Sequence, residues 1–200
     1  MAWIEPVVLA GECAILTPLS LAHAPDLREA VVDGELWRLW YTFVPPPEQM
    51  TAEIERRLAL QEAGSMLPFA VVSKETGRAV GMTTFMHIEA QHRRLEIGST
   101  WYRAGTQRTA INTECKRLML THAFEALSCI AVEFRTSAMN FQSRRAIERL
   151  GAKLDGVLRS HQIAPNGSLR DTHVYSILAH EWPAVRANLD WQLSRPRAQA

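Results

Sequence analysis

The sequence predicts one α/β domain built on a mixed, mostly antiparallel sheet, and three observations carry that expectation. Residues 95–125 read as a strand, a short polar turn and a long helix. Residues 131–152 read as another strand followed by a helix. Two turn segments, Lys74-Glu75-Thr76-Gly77 and Pro165-Asn166-Gly167, each separate a pair of strand-like runs. Two hundred residues suffice for one domain with a full core and are few for two, so a single domain over 1–200 is expected, with a terminal helix and tail at 181–200.

Taken in order, residues 7–19 form a first strand, and residues 24–32 a short helix after His23-Ala24-Pro25. The aromatic segment 36–44 is stopped by Pro45-Pro46-Pro47. A second helix over 51–63 opens at Thr51 and closes at Gly64. Runs 67–73 and 78–88 make a hairpin whose second strand should pair with 93–102. The next helix places Ile111, Cys115, Leu118, Met119, Ala123 and Leu127 on an apolar stripe and Glu114, Arg117, Thr121 and Glu125 opposite it. Strand 131–136 leads to a helix opening at Asn140, and 152–163 with 169–179 form the last hairpin. Glu181-Trp182-Pro183 opens a terminal helix reaching about Leu193, and 194–200 reads as a loose tail.

Composition sets bounds on function. With 22 basic and 21 acidic residues the net charge is +1, so no global field draws nucleic acid or an anionic membrane, and any cationic site must be local. Cys13, Cys115 and Cys129 are odd in number and lack paired zinc spacing, which points to reduced thiols in the cytoplasm. No stretch approaches a membrane span, and the first residues lack the regions of a signal peptide. His87, His92, His161, His173 and His180 show no tight ligand spacing, so no metal site is expected.

The strand-turn-helix unit at 95–125 has an anion-binding geometry. The first turn of a helix leaves backbone N–H groups unpaired at the positive end of its dipole, and Arg103 and Arg108 stand close by in sequence. A unit of this kind also occurs without any phosphate, so the remaining motifs decide.

Those motifs are Glu96-Ile97-Gly98 on the strand and Asn140-x-x-Ser143 running to Leu150-Gly151 on the following strand-helix unit. Together they resemble the GNAT superfamily of N-acetyltransferases, in the branch that includes the ribosomal-protein alanine N-acetyltransferases, over most of residues 7–180. The resemblance implies a GNAT-like sheet with a splayed strand pair and acetyl-CoA as cosubstrate. It further implies coenzyme contacts from Thr100, Trp101 and Tyr102, from Gln107, Arg108, Thr109, Ala110, Ile111, Asn112 and Thr113, and from Asn140, Ser143 and Arg144. Arg144 is preferred to Arg145 for the 3′-phosphate or adenine end. One departure stands out: the two small loop positions, usually Gly and then Gly or Ala, are Ala110 and Asn112. Ala is small and Asn tolerates left-handed geometry, so the loop reads as modified and still competent.

Acetyl transfer to an amine needs a base for the ammonium and a hydrogen-bond donor for the departing thiolate. Glu96 is the candidate base, with a simple strand ion pair as the alternative and with Glu133 and His87 as competitors. Ser143 is the candidate acid, and a first-turn position capped by Asn140 explains the same sequence. Trp37, Trp40, Tyr41 and Phe43 either line an acceptor cleft or fill the core. The sequence therefore favours an N-acetyltransferase acting on a primary amine: a protein N-terminus, a peptide, an amino acid or a small molecule. A non-catalytic acyl-CoA-binding module is the second reading. Trp182 and Trp191 near the last hairpin suggest a homodimer through that end.

Overall fold

The computed structural model describes residues 3–195, and the tail expected beyond Arg195 lies outside the described residues. In chain order the elements are β1 (Leu9–Ala10), β2 (Ala14–Pro18), α1 (Ala24–Val32), α2 (Met50–Glu62), β3 (Met66–Ser73), β4 (Ala79–Glu89), β5 (Arg94–Tyr102), α3 (Ala110–Thr121), β6 (Ala131–Ser137), α4 (Phe141–Leu150), β7 (Lys153–Ile163), β8 (Leu169–Leu178) and α5 (Trp182–Ser194). All eight strands form one sheet in the order β1-β2-β3-β4-β5-β6-β8-β7, and β5-β6 is its one parallel pair.

Helices cover both faces of the sheet centre. Leu67, Phe69 and Val71 of β3 pack with Cys115, Met119 and Leu120 of α3 and with Val185 and Leu189 of α5. Ala70 and Met82 face the other way, against Leu27 and Val31 of α1 and Met50 and Ile54 of α2. Burial on both faces explains why β3 is an almost unbroken apolar run where a half-buried strand would alternate.

Three expectations are corrected. The first strand is two short ones, because Gly11-Glu12-Cys13 turns back on itself: the Glu114 carboxylate accepts N–H bonds from Glu12 (2.7 Å), Cys13 (2.9 Å) and Ala14 (2.8 Å). Glu114 is therefore buried on α3 and not on its outer face. Its carboxyl stays below the usual range despite burial, since those donors outweigh desolvation. The third correction concerns the tryptophans: Trp182 is buried, stacked on Phe124 at 5.4 Å and donating its indole N–H to Glu125 (2.9 Å), while Trp191 lines the central cleft. Of the two tryptophans only Trp191, 56% exposed, remains available as a surface contact.

Candidate active site

The parallel ladder between β5 and β6 holds for three residue pairs, Arg94–Ala131 to Glu96–Glu133, and then stops. Beyond it the strands diverge, so the β6-facing backbone edge of β5 from Ile97 to Tyr102 opens into a cleft of about 1120 Å³. The cleft runs between the N-terminal ends of α3 and α4, and Thr100, Trp101, Tyr102, Gln107, Arg108, Thr109, Asn112, Asn140 and Ser143 all line it.

Two bulges shape the strands around it. Ser99 and Thr100 of β5 stand opposite the single residue Thr83 of β4, with Ser99 in left-handed backbone (φ 47°). The buried Arg57 of α2 holds this bulge, donating to Ser99 O (3.3 Å) and Thr84 Oγ1 (2.8 Å) while paired with Glu53 at 2.7 Å. From the opposite side Lys116 of α3, 7% exposed, donates to Thr100 Oγ1 (2.8 Å) and Thr83 Oγ1 (3.1 Å). Burial without a carboxylate partner pushes its pKa down to about 8. The second bulge sets His87 and Ile88 against Leu95, and His87 (φ 47°) lies over Glu96.

Glu96 is 4% exposed, and its Oε2 sits 2.7 Å from His87 Nδ1 and 3.6 Å from Arg135 Nε. The hydrogen bond to Glu96 raises the His87 pKa. Glu133, the expected competitor, is bound by Arg94 and by Arg135 (2.9 Å) and lies outside the cleft lining. Gly98 completes the Glu-Ile-Gly motif for a steric reason: a Cβ there would stand 2.6 Å from Glu96 Oε1 and 2.8 Å from Met86 Sδ. Gly81 plays a like part on β4, where a Cβ would meet the Trp101 carbonyl at 2.2 Å.

At the helix ends, Thr109 caps α3 by accepting from Ile111 N (3.3 Å), and Asn140 caps α4 by accepting from Ser143 N (3.0 Å). The cap uses the Ser143 backbone and leaves its hydroxyl facing the cleft. Gln107 donates to Tyr102 O (3.1 Å) and accepts from Gln142 (3.1 Å), tying the two helix ends together. The left-handed residue of the first loop is Arg108 (φ 64°), whereas Ala110 and Asn112 lie in α3 with helical backbone, so replacing the loop glycines imposes no backbone strain.

Several expected contacts are redirected. Arg103 pairs with Asp33 (2.9 Å) away from the cleft. Arg144 turns to Tyr175 Oη (3.4 Å) and Ala138 O (3.2 Å), and its neighbour Arg145 lines the cleft instead. Ile111 belongs to the core, Thr113 is buried against Arg149, and Ala110 does not line the cleft. Of the aromatic cluster, Tyr41 and Phe43 line it, Trp37 packs against the second core and Trp40 is exposed. Arg149, Trp191 and Arg195 line it as well, with Arg195 over the Trp191 ring at 4.4 Å.

The side chains lining the cleft include seven Arg and Lys (108, 116, 135, 145, 149, 170 and 195) and one carboxylate, Glu96. Arg108 precedes α3 and Arg145 lies in α4, while Arg149, in the last turn of α4, reaches Thr113 near the start of α3 (3.3 Å) and Gln192 of α5 (2.6 Å), and Arg195 follows α5; all four line the cleft, donors of the kind that bind phosphate.

Comparison with known proteins bears on the family and the fold. The model of the Acetyltransferase (GNAT) domain matches residues 14–153. YdaF of Bacillus subtilis (strain 168), which carries a provisional ribosomal N-acetyltransferase name, is 31% identical over 106 residues, covering 53% of this chain and 57% of YdaF. The match thus spans a little over half the length of that relative. A structure from T. thermophilus, provisionally named an acetyltransferase, is 36% identical over 96% of this chain and 99% of its own, with TM-score 0.83. A GCN5-related N-acetyltransferase from Brucella melitensis is 26% identical over 96% of this chain and 87% of its own, with TM-score 0.85.

Proposed function

Because this chain belongs to the GNAT acetyltransferase family, we propose that it transfers an acetyl group from acetyl-CoA to a primary amine by direct attack. The observation that carries the reading is the opening of β5 from β6 immediately after Glu96, which leaves a buried carboxylate in a cleft whose other lining Asp, Glu, Lys and Arg side chains are all cations. Acetyl-CoA supplies the activated acyl group and a thiolate as leaving group.

The residues of the chain do the rest. Arg108, Arg145, Arg149 and Arg195, with the N-terminal ends of α3 and α4, hold the phosphates. The free edge of β5 at the Ser99-Thr100 bulge offers backbone groups to the pantetheine arm and a site for an N–H directed at the thioester oxygen. Glu96, coupled to His87, accepts the proton of the incoming ammonium directly or through water. Ser143 donates a hydrogen bond from its hydroxyl to the departing thiolate and keeps its proton. Tyr41 and Phe43 wall the acceptor side.

The test is release of free thiol from acetyl-CoA across a panel of amines, with calorimetry of CoA binding alongside. Binding without thiol release for any amine rejects catalysis, and no binding at millimolar CoA rejects the whole reading. The same proposal places the reaction in the cytoplasm, where Cys13, Cys115 and Cys129 stay reduced. It also has the chain pair as a homodimer through the exposed edge strand β7, which shows Leu154, Val157 and Leu158 to solvent. Light scattering that reports 22.5 kDa across a wide concentration range would exclude the dimer.

A further inference from the structure

The cleft carries a second pair of guanidiniums, Arg135 and Arg170, on the wall formed by β6 and β8. Register settles its position: Glu96 pairs with Glu133, Arg135 lies two residues on along β6, and Ser137 pairs with Thr172 of β8. Because side chains alternate along strands, Glu96, Glu133, Arg135, Thr172 and Arg170 share one face of the sheet. A bulge in β7 then brings His161 and Gln162 to the same rim, its Ser160 N–H (φ 47°) donating to Asp171 at 2.7 Å. Asp171 is thereby engaged away from Arg170.

Arg170 is half-buried and lines the cleft; one guanidinium N–H donates to Gln162 Oε1 (2.9 Å), and its buried Nε has no partner. No carboxylate lies within ion-pair distance of it among the described residues. Arg135, by contrast, is spanned by Glu133 and Glu96. Glu96 and Glu133 are already engaged by His87, Arg94 and Arg135, so neither is left to pair with Arg170. Burial lowers the Arg170 pKa and Glu96 only partly offsets it, so the guanidinium sits in an environment that pays for a charge without a counter-ion.

We infer that Arg170 is the anion-recognising residue of the acceptor pocket, and that the acceptor is a primary amine carrying a carboxylate: the amine goes to Glu96 and the carboxylate to Arg170. This rests on the acetyl-transfer reading and narrows its substrate class. The carboxylate can be the α-carboxylate of an amino acid or the side chain of an acidic N-terminal residue, and a guanidinium recognises either through the same paired N–H donors.

The experiment compares kcat/KM for acid and amide pairs: free amino acids against their amides, and dipeptide amides opening with Asp or Glu against those opening with Asn or Gln. The first arm reports an α-carboxylate and the second an acidic side chain. In at least one arm the acid should be favoured by about tenfold or more. Arg170→Gln should bring that ratio within about twofold of one, and Arg170→Lys should restore part of it. Equal rates for acid and amide in both arms, or a preference that survives Arg170→Gln, overturn the inference. Calorimetry with the N-acetylated acid and amide products in the presence of CoA reads the same preference without turnover. Acid-selective, Arg170-dependent binding with no thiol release for any amine would leave the anion site and remove acetyl transfer. Turnover without preference would do the reverse.

Discussion

Lys116→Met should make the protein more stable, and the size of the gain can be worked from its surroundings. The ammonium is almost fully buried, bonds only to the hydroxyls of Thr83 and Thr100, and has its pKa pushed from 10.5 to about 8. At about 1.4 kcal/mol per tenfold, that gap corresponds to roughly 3 kcal/mol of charge-burial cost. Its sign follows from proton uptake: between pH 8 and 10.5 the unfolded chain binds more protons than the folded one, so stability rises with pH across that window and the cost is fully present below it. Met fills a similar volume without a charge, while Thr83 and Thr100 keep their mutual bond at 2.7 Å. After about 1 kcal/mol for the lost hydrogen bonds, the variant should gain about 2 kcal/mol at neutral pH, or roughly 4–8 °C in Tm for a chain of this size. Urea melts of both proteins at pH 7, 8.5 and 10 test it, and the advantage should shrink as pH rises. A Met variant less stable at pH 7, with a pH dependence parallel to the parent's, would show that the ammonium is compensated and that the reasoning fails. The same substitution should weaken CoA binding several-fold, because it removes a cation from the cleft floor.

Glu96→Gln should slow transfer most below pH 8 and recover partly above it, where more of the amine is already neutral; the His87 ring, no longer held up by the carboxylate, should titrate lower by NMR. Parallel kcat/KM profiles at every pH would take the base role from Glu96. Ser143→Ala should lower kcat about tenfold or more while leaving Tm within about 2 °C, since the cap bond to Asn140 comes from its backbone; an unchanged kcat in the folded variant disposes of the acid role. Arg145→Ala should raise the Kd for CoA about tenfold and Arg144→Ala should not, as read by calorimetry, because only Arg145 lines the cleft.

Much of the fold was legible because local chemistry and tertiary placement agree. The turn residues around Gly77 and Gly167 terminate real strands, the α1 helix spans 24–32 as its pattern implies, and the Asn140 cap forms as its spacing suggests. Legibility failed where a residue is placed by something far away in sequence. Nothing near Gly11 announces a turn, because the carboxylate that fixes it is Glu114, about a hundred residues on. The α3 stripe misassigned Glu114 as outward because a helical wheel counts polarity and cannot see a set of N–H donors waiting on the neighbouring strand. Arg144 and Arg145 are adjacent, so they project about 100° apart on a helix. Sequence alone cannot say which of them the cleft receives until α4 is docked.

The same limit explains why the sequence offered candidate reacting groups and not the cations that the fold brings to the region. Glu96, Asn140 and Ser143 sit in short motifs, and each could be named from its neighbours. Arg57, Lys116 and Arg170 come from α2, α3 and β8, carry no motif, and reach the strands around the cleft only when the sheet is assembled. Each is a cation drawn wholly or partly out of water at a cost that packing alone would avoid, since an apolar side chain of similar size is often the more stable choice. Arg57 recovers that cost through Glu53 and the bulge carbonyl. Lys116 and Arg170 have no such carboxylate among the described residues, and both line the cleft. Local rules broken without compensation tend to mark places where a ligand completes the structure. On the proposed function, acetyl-CoA would bring its negative charge toward Lys116 and the acceptor's carboxylate toward Arg170, two cations that lie toward opposite faces of the sheet.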